Sequence, residues 1–182
     1  KEDSSLFINV KNTIIGSNNL CLKSIEKYCK EKKINSKIWK NNLEGDVKEI
    51  AINFVDDLKK IKNTDEIVLI SGGESTVKIN GTGKGGRNQE FALHFLNFAK
   101  KRLPNLKYTL LSAGTDGRDG PTDAAGAIVN NMSGDLISKN NINLDKEIKN
   151  NNSYEVLKKI NSLVIIEGTN TNVADLQILK IN

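Results

Sequence analysis

The chain has 182 residues, of which 37 % are hydrophobic and 27 % charged, and this describes a globular protein with one substantial domain. No apolar run approaches the roughly 18 residues that a membrane-spanning helix needs, so we expect no membrane partner. The net charge of +5 comes mainly from scattered lysines, and only 5 % of the residues are aromatic. Because nucleic-acid surfaces combine clustered basic residues with stacking aromatics, we also expect no nucleic-acid partner.

The first third of the chain alternates short apolar runs with helical stripes. The β-branched residues at 13–15 predict a first strand, and apolar spacings of three and four predict a helix over 18–33. A second strand is expected over 34–39 and a second helix from 43 to 61. Residues 66–70 form a continuous apolar run, which indicates a third strand buried on both faces. This alternation is typical of a parallel sheet with covering helices.

The rest of the chain adds further strands and helices without an interior linker. We expect a turn at 71–73 followed by a hairpin strand at 76–80, and an Asn-rich tract with at most one helical turn at 133–152. The other expected elements are helices at 88–103 and 153–160, strands at 108–113, 163–166 and 173–181, and either a strand or a short helix at 124–132. We therefore predict a single layered α/β/α domain over residues 1–182, with a mixed, largely parallel sheet.

The cysteines indicate the cellular compartment of the protein, and the first residue indicates the origin of the chain. Cys21 and Cys29 lie on one predicted helix without a CxxC pair, which favours neither a disulfide framework nor a zinc site. We expect a cytoplasmic protein with reduced cysteines. Since the chain begins with Lys1 rather than methionine, we expect it to be either the C-terminal piece of a longer protein or a chain that has been trimmed.

A glycine-rich loop precedes the helix predicted at 88–103. Gly81, Gly83, Gly85 and Gly86 lie in this loop, and Arg87 follows them directly. Glycine lets a backbone approach a ligand closely, and the N–H groups at a helix N-terminus suit an anion. An arginine adds a planar fork that matches phosphate or carboxylate oxygens. The loop therefore predicts half of a phosphate-handling site.

Two further polar turns follow the strongest predicted strands. One holds Ser71 to Glu74, and the other holds Asp116, Asp119 and Asp123. In open α/β sheets ligands bind beyond the carboxyl ends of the strands, so we expect these turns to converge on one cleft. Carboxylates opposite an arginine suit phosphoryl transfer, in which they act as a base or as a Mg²⁺ ligand. Asp-Gly and Gly-Pro are also ordinary turn residues, so the composition alone leaves the role of the carboxylates open.

The loop also matches two nucleotide motifs incompletely. Gly81, Gly83 and Gly86 satisfy G-x-G-x-x-G, but the next strand does not end in the acidic residue that the dinucleotide fingerprint requires. A P-loop would need lysine and a hydroxyl residue where Arg87 and the following asparagine stand. His94, the only histidine, shares a helical face with polar residues and is expected to face solvent.

Three sequence blocks, at 69–77, 83–91 and 111–127, resemble the MOFRL family in order and spacing, and Thr171 to Val173 with Asp175 extend the match. That family is the C-terminal part of the glycerate 2-kinases, which are often labelled hydroxypyruvate reductases. The resemblance covers about residues 66–180. It implies that residues 12–65 are the preceding portion of the same C-terminal domain, and that an N-terminal Rossmann-like kinase domain is absent here.

The resemblance implies ATP-dependent, Mg²⁺-assisted phosphorylation of D-glycerate, or a related hydroxy acid, to give 2-phosphoglycerate. The site would lie in the cleft to the N-terminal domain, so this chain alone would have little activity. By position, Arg87 resembles the phosphate or carboxylate clamp, and Asp116 and Asp119 resemble catalytic or metal-proximal acids. The resemblance further implies a set of substrate- or phosphate-binding residues, namely Ser71, Gly72, Gly73, Glu74, Gly85, Gly86, Asn88, Gln89, Glu90, Thr115 and Asp123.

One motif departs from the family pattern. The family usually ends with Gly-Pro-Thr-Gly-Thr-Asn-Val, whereas residues 167–173 here read Glu-Gly-Thr-Asn-Thr-Asn-Val. This departure supports an alternative, a non-catalytic ligand-binding module with the same fold. A hydroxypyruvate reductase, as such proteins are often labelled, is a third interpretation.

Overall fold

The computed structural model describes residues 8–61 and 66–182. In chain order, the elements in these ranges are α1 (Asn18–Glu31), β1 (Ser36–Asp46), α2 (Val47–Leu58), β2 (Ile67–Thr76), α3 (Arg87–Arg102), β3 (Tyr108–Gly114), β4 (Gly126–Asn130), α4 (Ser133–Lys139), α5 (Leu144–Lys149), α6 (Ser153–Lys159), β5 (Leu163–Val164) and β6 (Asp175–Ile181). None of these helices is long and apolar enough to span a membrane.

The six strands form one mixed sheet in the order β1-β2-β6-β3-β4-β5. β1 and β2 pair in parallel, and the other four neighbouring pairs are antiparallel. The expected mixed α/β sheet is confirmed, but the expectation of largely parallel pairing is corrected. β1, β2, β3 and β5 do share a direction, yet β6 inserts between β2 and β3 in the opposite sense, and β4 opposes both of its neighbours.

Helices cover both faces of the sheet. On one face, α2 and α3 bury the largest core, in which Phe54 stands edge-on to Phe91 with ring centroids 5.5 Å apart. On the other face, α1 packs Leu22 and Cys29 against Val68 and Ile70 of β2. Successive residues of β2 thus enter different cores, which explains why its sequence is continuously apolar. The predicted α/β/α layering is confirmed.

The first third of the chain differs from the predicted elements in two places. Residues 13–15 have no strand and are exposed, since Ile14 and Ile15 keep 79 % and 94 % of their surface accessible. β1 extends to Asp46, so the second helix begins at Val47 and not at 43. The Asp46 side chain accepts the N–H groups of Lys48 and Glu49 at 3.0 and 3.4 Å, and this N-cap determines where α2 begins.

The expected turn at 71–73 is a continuation of β2, and residues 77–80 have no regular structure. Gly73 has φ +149°, and a Cβ atom there would lie 2.2 Å from the backbone nitrogen of Leu43 in the neighbouring strand. Glycine is therefore needed for close strand packing and not for a turn. Farther along, residues 124–132 contain a strand, and the Asn-rich tract contains two short helices instead of one turn.

Candidate active site

A cavity of about 770 Å³ lies where the end of β2, the glycine loop and the start of α3 meet. Five of the predicted site residues line it, namely Glu74, Gly85, Gly86, Arg87 and Glu90. The remaining wall consists of Glu44, Ser75, Thr76, Val77, Ile79, Gly83, Gly120, Pro121 and Asn151. The structure thus brings the glycine loop and the end of β2 together, as expected, and adds one turn of the 114–123 loop.

Arg87 is held in place by two carboxylates. Its Nε and Nη2 atoms donate to the two oxygens of Asp175 at 2.6 and 3.0 Å, and its Nη1 atom lies 3.1 Å from Oε1 of Glu74. Asp175 is buried, with 1 % of its surface exposed, whereas the Arg87 side chain is about one-third exposed. The hydrogen bond to Asp175 raises the pKa of Arg87, which keeps the side chain cationic. The predicted anion clamp is therefore fixed in orientation but partly neutralised by the protein.

The N-terminus of α3 already holds an anion, the carboxylate of Asp119. Its two oxygens accept the N–H groups of Asn88 and Gln89 at 3.0 and 2.9 Å. Burial raises the pKa of Asp119 to about 6, although these hydrogen bonds oppose the rise. Because both oxygens are engaged and only 3 % of the residue is exposed, Asp119 does not fit a Mg²⁺ ligand. The geometry assigns it to capping the helix from a neighbouring loop.

Asn88 and Gln89 point into the protein and not into the cavity. The Oδ1 atom of Asn88 accepts a hydrogen bond from the Ser112 hydroxyl at 2.7 Å, and the Gln89 amide donates to Oγ1 of Thr122 at 3.0 Å. Ser71 is also fully buried, on β2. These three predicted site residues therefore stabilise the interior beneath the cavity.

Gly72 also serves packing within the sheet. A Cβ atom at this position would lie 2.3 Å from Oδ1 of Asn18. The Asn18 amide crosses to β6 and donates to the carbonyl oxygens of Val173 and Asp175 at 2.8 and 2.9 Å. The small residue is required because this side chain occupies the adjacent space, so neither Gly72 nor Gly73 lines the cavity.

Thr115 and Asp116 lie in the turn after β3, against the segment at 167–174. The Thr115 hydroxyl donates to the carbonyl of Ala174 at 2.7 Å, and the carbonyl of Asp116 accepts the N–H of Thr169 at 3.2 Å. The carboxylate of Asp116 accepts the N–H of Arg118 at 3.0 Å and remains partly exposed. Of the two predicted acids, Asp116 is the one whose carboxylate stays partly exposed, but neither Thr115 nor Asp116 lines the cavity.

Asp123 lies on the surface, away from the cavity. It accepts a hydrogen bond of 2.8 Å from the Tyr154 hydroxyl, and this bond lowers the pKa of Asp123. Within the described ranges, no group of three or more His, Cys, Asp or Glu side chains is arranged to hold a metal ion.

Glu90 and His94 form a buried pair on α3, and Glu90 also lines the cavity. Glu90 is 2 % exposed and its Oε1 atom has no hydrogen-bond partner, and burial raises the pKa of Glu90 to about 7. His94 is not solvent-facing as predicted, since only 8 % of it is exposed and its ring stacks on Phe98. The packing of α2 and α5 against this face of α3 explains the difference. Burial lowers the pKa of His94 to about 4, and its Nε2 atom lies 3.8 Å from Oε2 of Glu90.

The sequence reasoning missed Asn151, which lines the cavity beside the glycine loop. Its Oδ1 atom accepts the N–H groups of Asn80 and Gly81 at 2.7 and 3.1 Å. The run of asparagines at 150–152 could have indicated this site. Asparagine is frequent throughout the chain, however, so the run does not stand out from the overall composition.

The comparisons with known proteins agree with this architecture. Residues 67–175 match the MOFRL family. The chain belongs to the MOFRL family. It is 38 % identical to a D-glycerate 2-kinase of Thermotoga maritima over 92 % of this chain and 41 % of that protein. It is 36 % identical to a glycerate 2-kinase of Pyrococcus horikoshii over 91 % of this chain and 38 % of that protein.

A solved structure shares the fold of this MOFRL chain. The crystal structure of a glycerate kinase from Thermotoga maritima superposes with a TM-score of 0.88 at 36 % identity, covering 96 % of this chain and 42 % of that one. The sequence resemblance to the MOFRL family is thereby confirmed. The chain spans about two fifths of the length of these relatives.

Proposed function

We propose that this chain is the C-terminal part of a glycerate 2-kinase that transfers a phosphoryl group from ATP to D-glycerate and forms 2-phosphoglycerate. The observation that carries the proposal is the cavity at the glycine loop, where Gly85 and Gly86 line the wall beside Arg87. The relatives that bear the names glycerate 2-kinase and D-glycerate 2-kinase match more than nine tenths of the chain, which supports this substrate. The rest of the site would come from an N-terminal Rossmann-like domain.

The cavity suits an anionic ligand. Within the described ranges, the N–H groups of Gly85, Gly86 and Arg87 have no hydrogen-bond partner in the protein, while those of the preceding loop residues are engaged. Free N–H groups at a helix start and a fixed guanidinium together favour a phosphate or carboxylate. A volume of about 770 Å³ is also in the range of small-molecule sites.

In the proposed reaction, the glycerate hydroxyl oxygen forms a bond to the γ-phosphorus of ATP. The bond from that phosphorus to the bridging oxygen breaks, the electron pair leaves with ADP, and the hydroxyl proton is released. Negative charge on the transferring group is stabilised by Arg87 and the amides of Gly85 and Gly86. Asp116 would contribute a ligand to Mg²⁺, which neutralises phosphate charge when bound.

The names of the relatives support the kinase over a hydroxypyruvate reductase or a non-catalytic module. Such a kinase would act in the cytoplasm, where ATP is available. Little turnover is expected from the 182-residue chain alone, because half of the cleft would be missing.

The experiment measures ADP formation by the full-length protein that contains this chain, with and without D-glycerate. Arg87→Ala and Asp116→Asn should each lower kcat by about a hundredfold, the typical effect of removing one electrostatic partner of the transition state. Arg102→Ala and Asp145→Asn are matched controls, since both residues form exposed ion pairs outside this cavity. Full turnover in both site variants would refute the site, and oxidation of NADH by hydroxypyruvate would instead support the reductase.

A further inference from the structure

Three consecutive asparagines, Asn150, Asn151 and Asn152, hold the glycine loop through their side chains, and we call them the asparagine clasp. Oδ1 of Asn151 accepts the N–H groups of Asn80 and Gly81 at 2.7 and 3.1 Å. Oδ1 of Asn150 accepts the N–H of Thr82 at 3.0 Å, and Oδ1 of Asn152 accepts that of Lys84 at 3.3 Å. The N–H of Gly83 donates to the carbonyl of Asn150 at 2.9 Å. The clasp therefore binds every backbone N–H group from 80 to 84.

The first two loop glycines are explained by contact with the clasp. A Cβ atom at Gly81 would lie 2.4 Å from Cα of Asn150, and one at Gly83 would lie 2.6 Å from Cα of Asn152. No larger residue fits because the two backbones run against each other. These glycines are consequently needed for packing, and only the next residues, Gly85 and Gly86, offer their N–H groups to a ligand.

Asn151 occupies a special position in the clasp. Its φ angle is +53°, in the left-handed region that asparagine tolerates better than most residues. Its amide also donates to the carbonyl of Lys78 at 3.2 Å. It lines both the glycine-loop cavity and a second cavity of about 690 Å³, as Val77 and Glu90 also do. The residue thus connects the segments before and within the loop.

We infer that Asn150, Asn151 and Asn152 are positioning residues, which fix the loop so that the N–H groups of Gly85, Gly86 and Arg87 face the bound anion. This inference rests on the proposed function, because it assigns the purpose of the clasp to the phosphate site. A glycine-rich loop loses more conformational entropy on ordering than other segments. Fixing it in the folded protein removes that cost from ligand binding and orients the donors beforehand.

The test follows the amide signals of Gly85 and Gly86 by NMR while the full-length protein that contains this chain is titrated with pyrophosphate. Asn151→Gly keeps the left-handed backbone but removes the acceptor, whereas Asn151→Asp retains an oxygen at the same place. Asn161→Gly is the matched control, since Asn161 has φ +52° and lies outside the cavity. We expect Asn151→Gly to raise the Kd about tenfold. Asn151→Asp keeps the acceptor but loses the donor to Lys78 and adds a negative charge, so it should recover only part of the affinity, and the control should be unchanged.

Hydrogen exchange gives a second measurement. In Asn151→Gly, the amides of Asn80 and Gly81 should exchange faster, while Asn151→Asp should restore their protection. If Asn151→Gly proves unstable, Asn150→Ala and Asn150→Asp make the same comparison at Thr82, because Asn150 has an ordinary φ of −87°. These two variants should show the same loss and the same rescue of pyrophosphate affinity.

The outcomes separate this inference from the proposed function. Equal Kd values for wild type, Asn151→Gly and Asn150→Ala would overturn the positioning role and leave the phosphate site intact. If pyrophosphate shifted neither Gly85 nor Gly86 in the wild-type chain, the phosphate site itself would be wrong and the inference would fall with it. Loop amides whose protection the aspartate variants do not restore would also overturn the role of the side-chain oxygens.

Discussion

Arg87 and Asp175 join the start of α3 to the start of β6 through two parallel hydrogen bonds of 2.6 and 3.0 Å. Asp175 is buried and Arg87 is partly exposed, so the arginine covers a carboxylate that water would otherwise solvate. The same contact orients the guanidinium toward the cavity. Arg87 is therefore needed both for the fold and for the proposed site.

This dual role predicts a large cost for removing the arginine alone. Arg87→Ala should lower the free energy of unfolding by about 3 kcal/mol, because it leaves a buried carboxylate without its partner. The double variant Arg87→Ala/Asp175→Ala should cost less than the sum of the two single variants, since the unpaired charge is then gone. Urea unfolding of the four proteins measures this coupling, and strict additivity would show that the pair contributes nothing specific.

The two acids of the 114–123 loop should behave differently on substitution. Asp119→Ala removes the acceptor for two buried N–H groups and should destabilise the chain by about 2 kcal/mol or more. Asp116→Asn changes a partly exposed side chain and should shift stability by less than about 0.5 kcal/mol. Unfolding curves test both values. A stable Asp119→Ala protein would mean that the cap has little energetic effect.

Gly86 should not tolerate a side chain. A Cβ atom there would lie 2.3 Å from the carboxyl carbon of Asp119, so Gly86→Ala would displace the cap of α3. We expect a loss of about 2 kcal/mol, typical of overpacking at a closely packed position. Gly16→Ala is the control, because its Cβ atom would meet only Val173, at an ordinary 3.9 Å. Similar unfolding midpoints for the two variants would contradict the close packing around Gly86.

Glu90 and His94 should make opposite contributions to the pH dependence of stability. The pKa of Glu90 rises from 4.5 to about 7 on folding, so its contribution is full below pH 4.5 and is lost as the pH rises through 7. The pKa of His94 falls from 6.5 to about 4, so its contribution is full above pH 6.5 and is lost as the pH falls. Asp119, with a pKa of about 6, acts in the same direction as Glu90.

Two variants separate these contributions between pH 5 and 6.5. In Glu90→Gln, His94 is the only member of the pair that still titrates. The free energy of unfolding of this variant should therefore rise with pH relative to that of wild type over this range. His94→Gln should lose stability with rising pH over the same range. Urea unfolding at several pH values measures both slopes. If both variants followed the wild-type profile, the pair would not titrate as described.

The sequence indicated the longer helices α1, α2 and α3 and the buried strands well, because their signals are local. The stripe of Phe91 and Phe95 marks α3, and the continuous apolar run at 67–70 marks β2. The end of β2 was predicted wrongly because Gly72 and Gly73 look like turn residues, whereas they are small to admit Asn18 and Leu43. Those two partners lie far away in sequence, so no local pattern reveals them.

The candidate site was predictable only in its outline. Residues 85–87 do line a cavity, as the glycine loop suggested. Asp119 resembled a catalytic acid because its role as a cap depends on a tertiary contact with Asn88 and Gln89. The clasp was missed for the same reason, since the partners of Asn151 lie about 70 positions earlier in the chain. Side-chain roles that depend on distant backbone cannot be inferred from spacing.

The position of β6 has a consequence for biosynthesis. This strand lies between β2 and β3 in the sheet, yet it follows the other five strands in the chain. During translation, β2 and β3 lack their common neighbour until residues 175–181 leave the ribosome. Two strand edges would remain unpaired over that interval, and unpaired edges favour association with other chains. Until β6 is in place, β1 and β2 are separated from β3, β4 and β5, because β6 is the strand that joins the two groups.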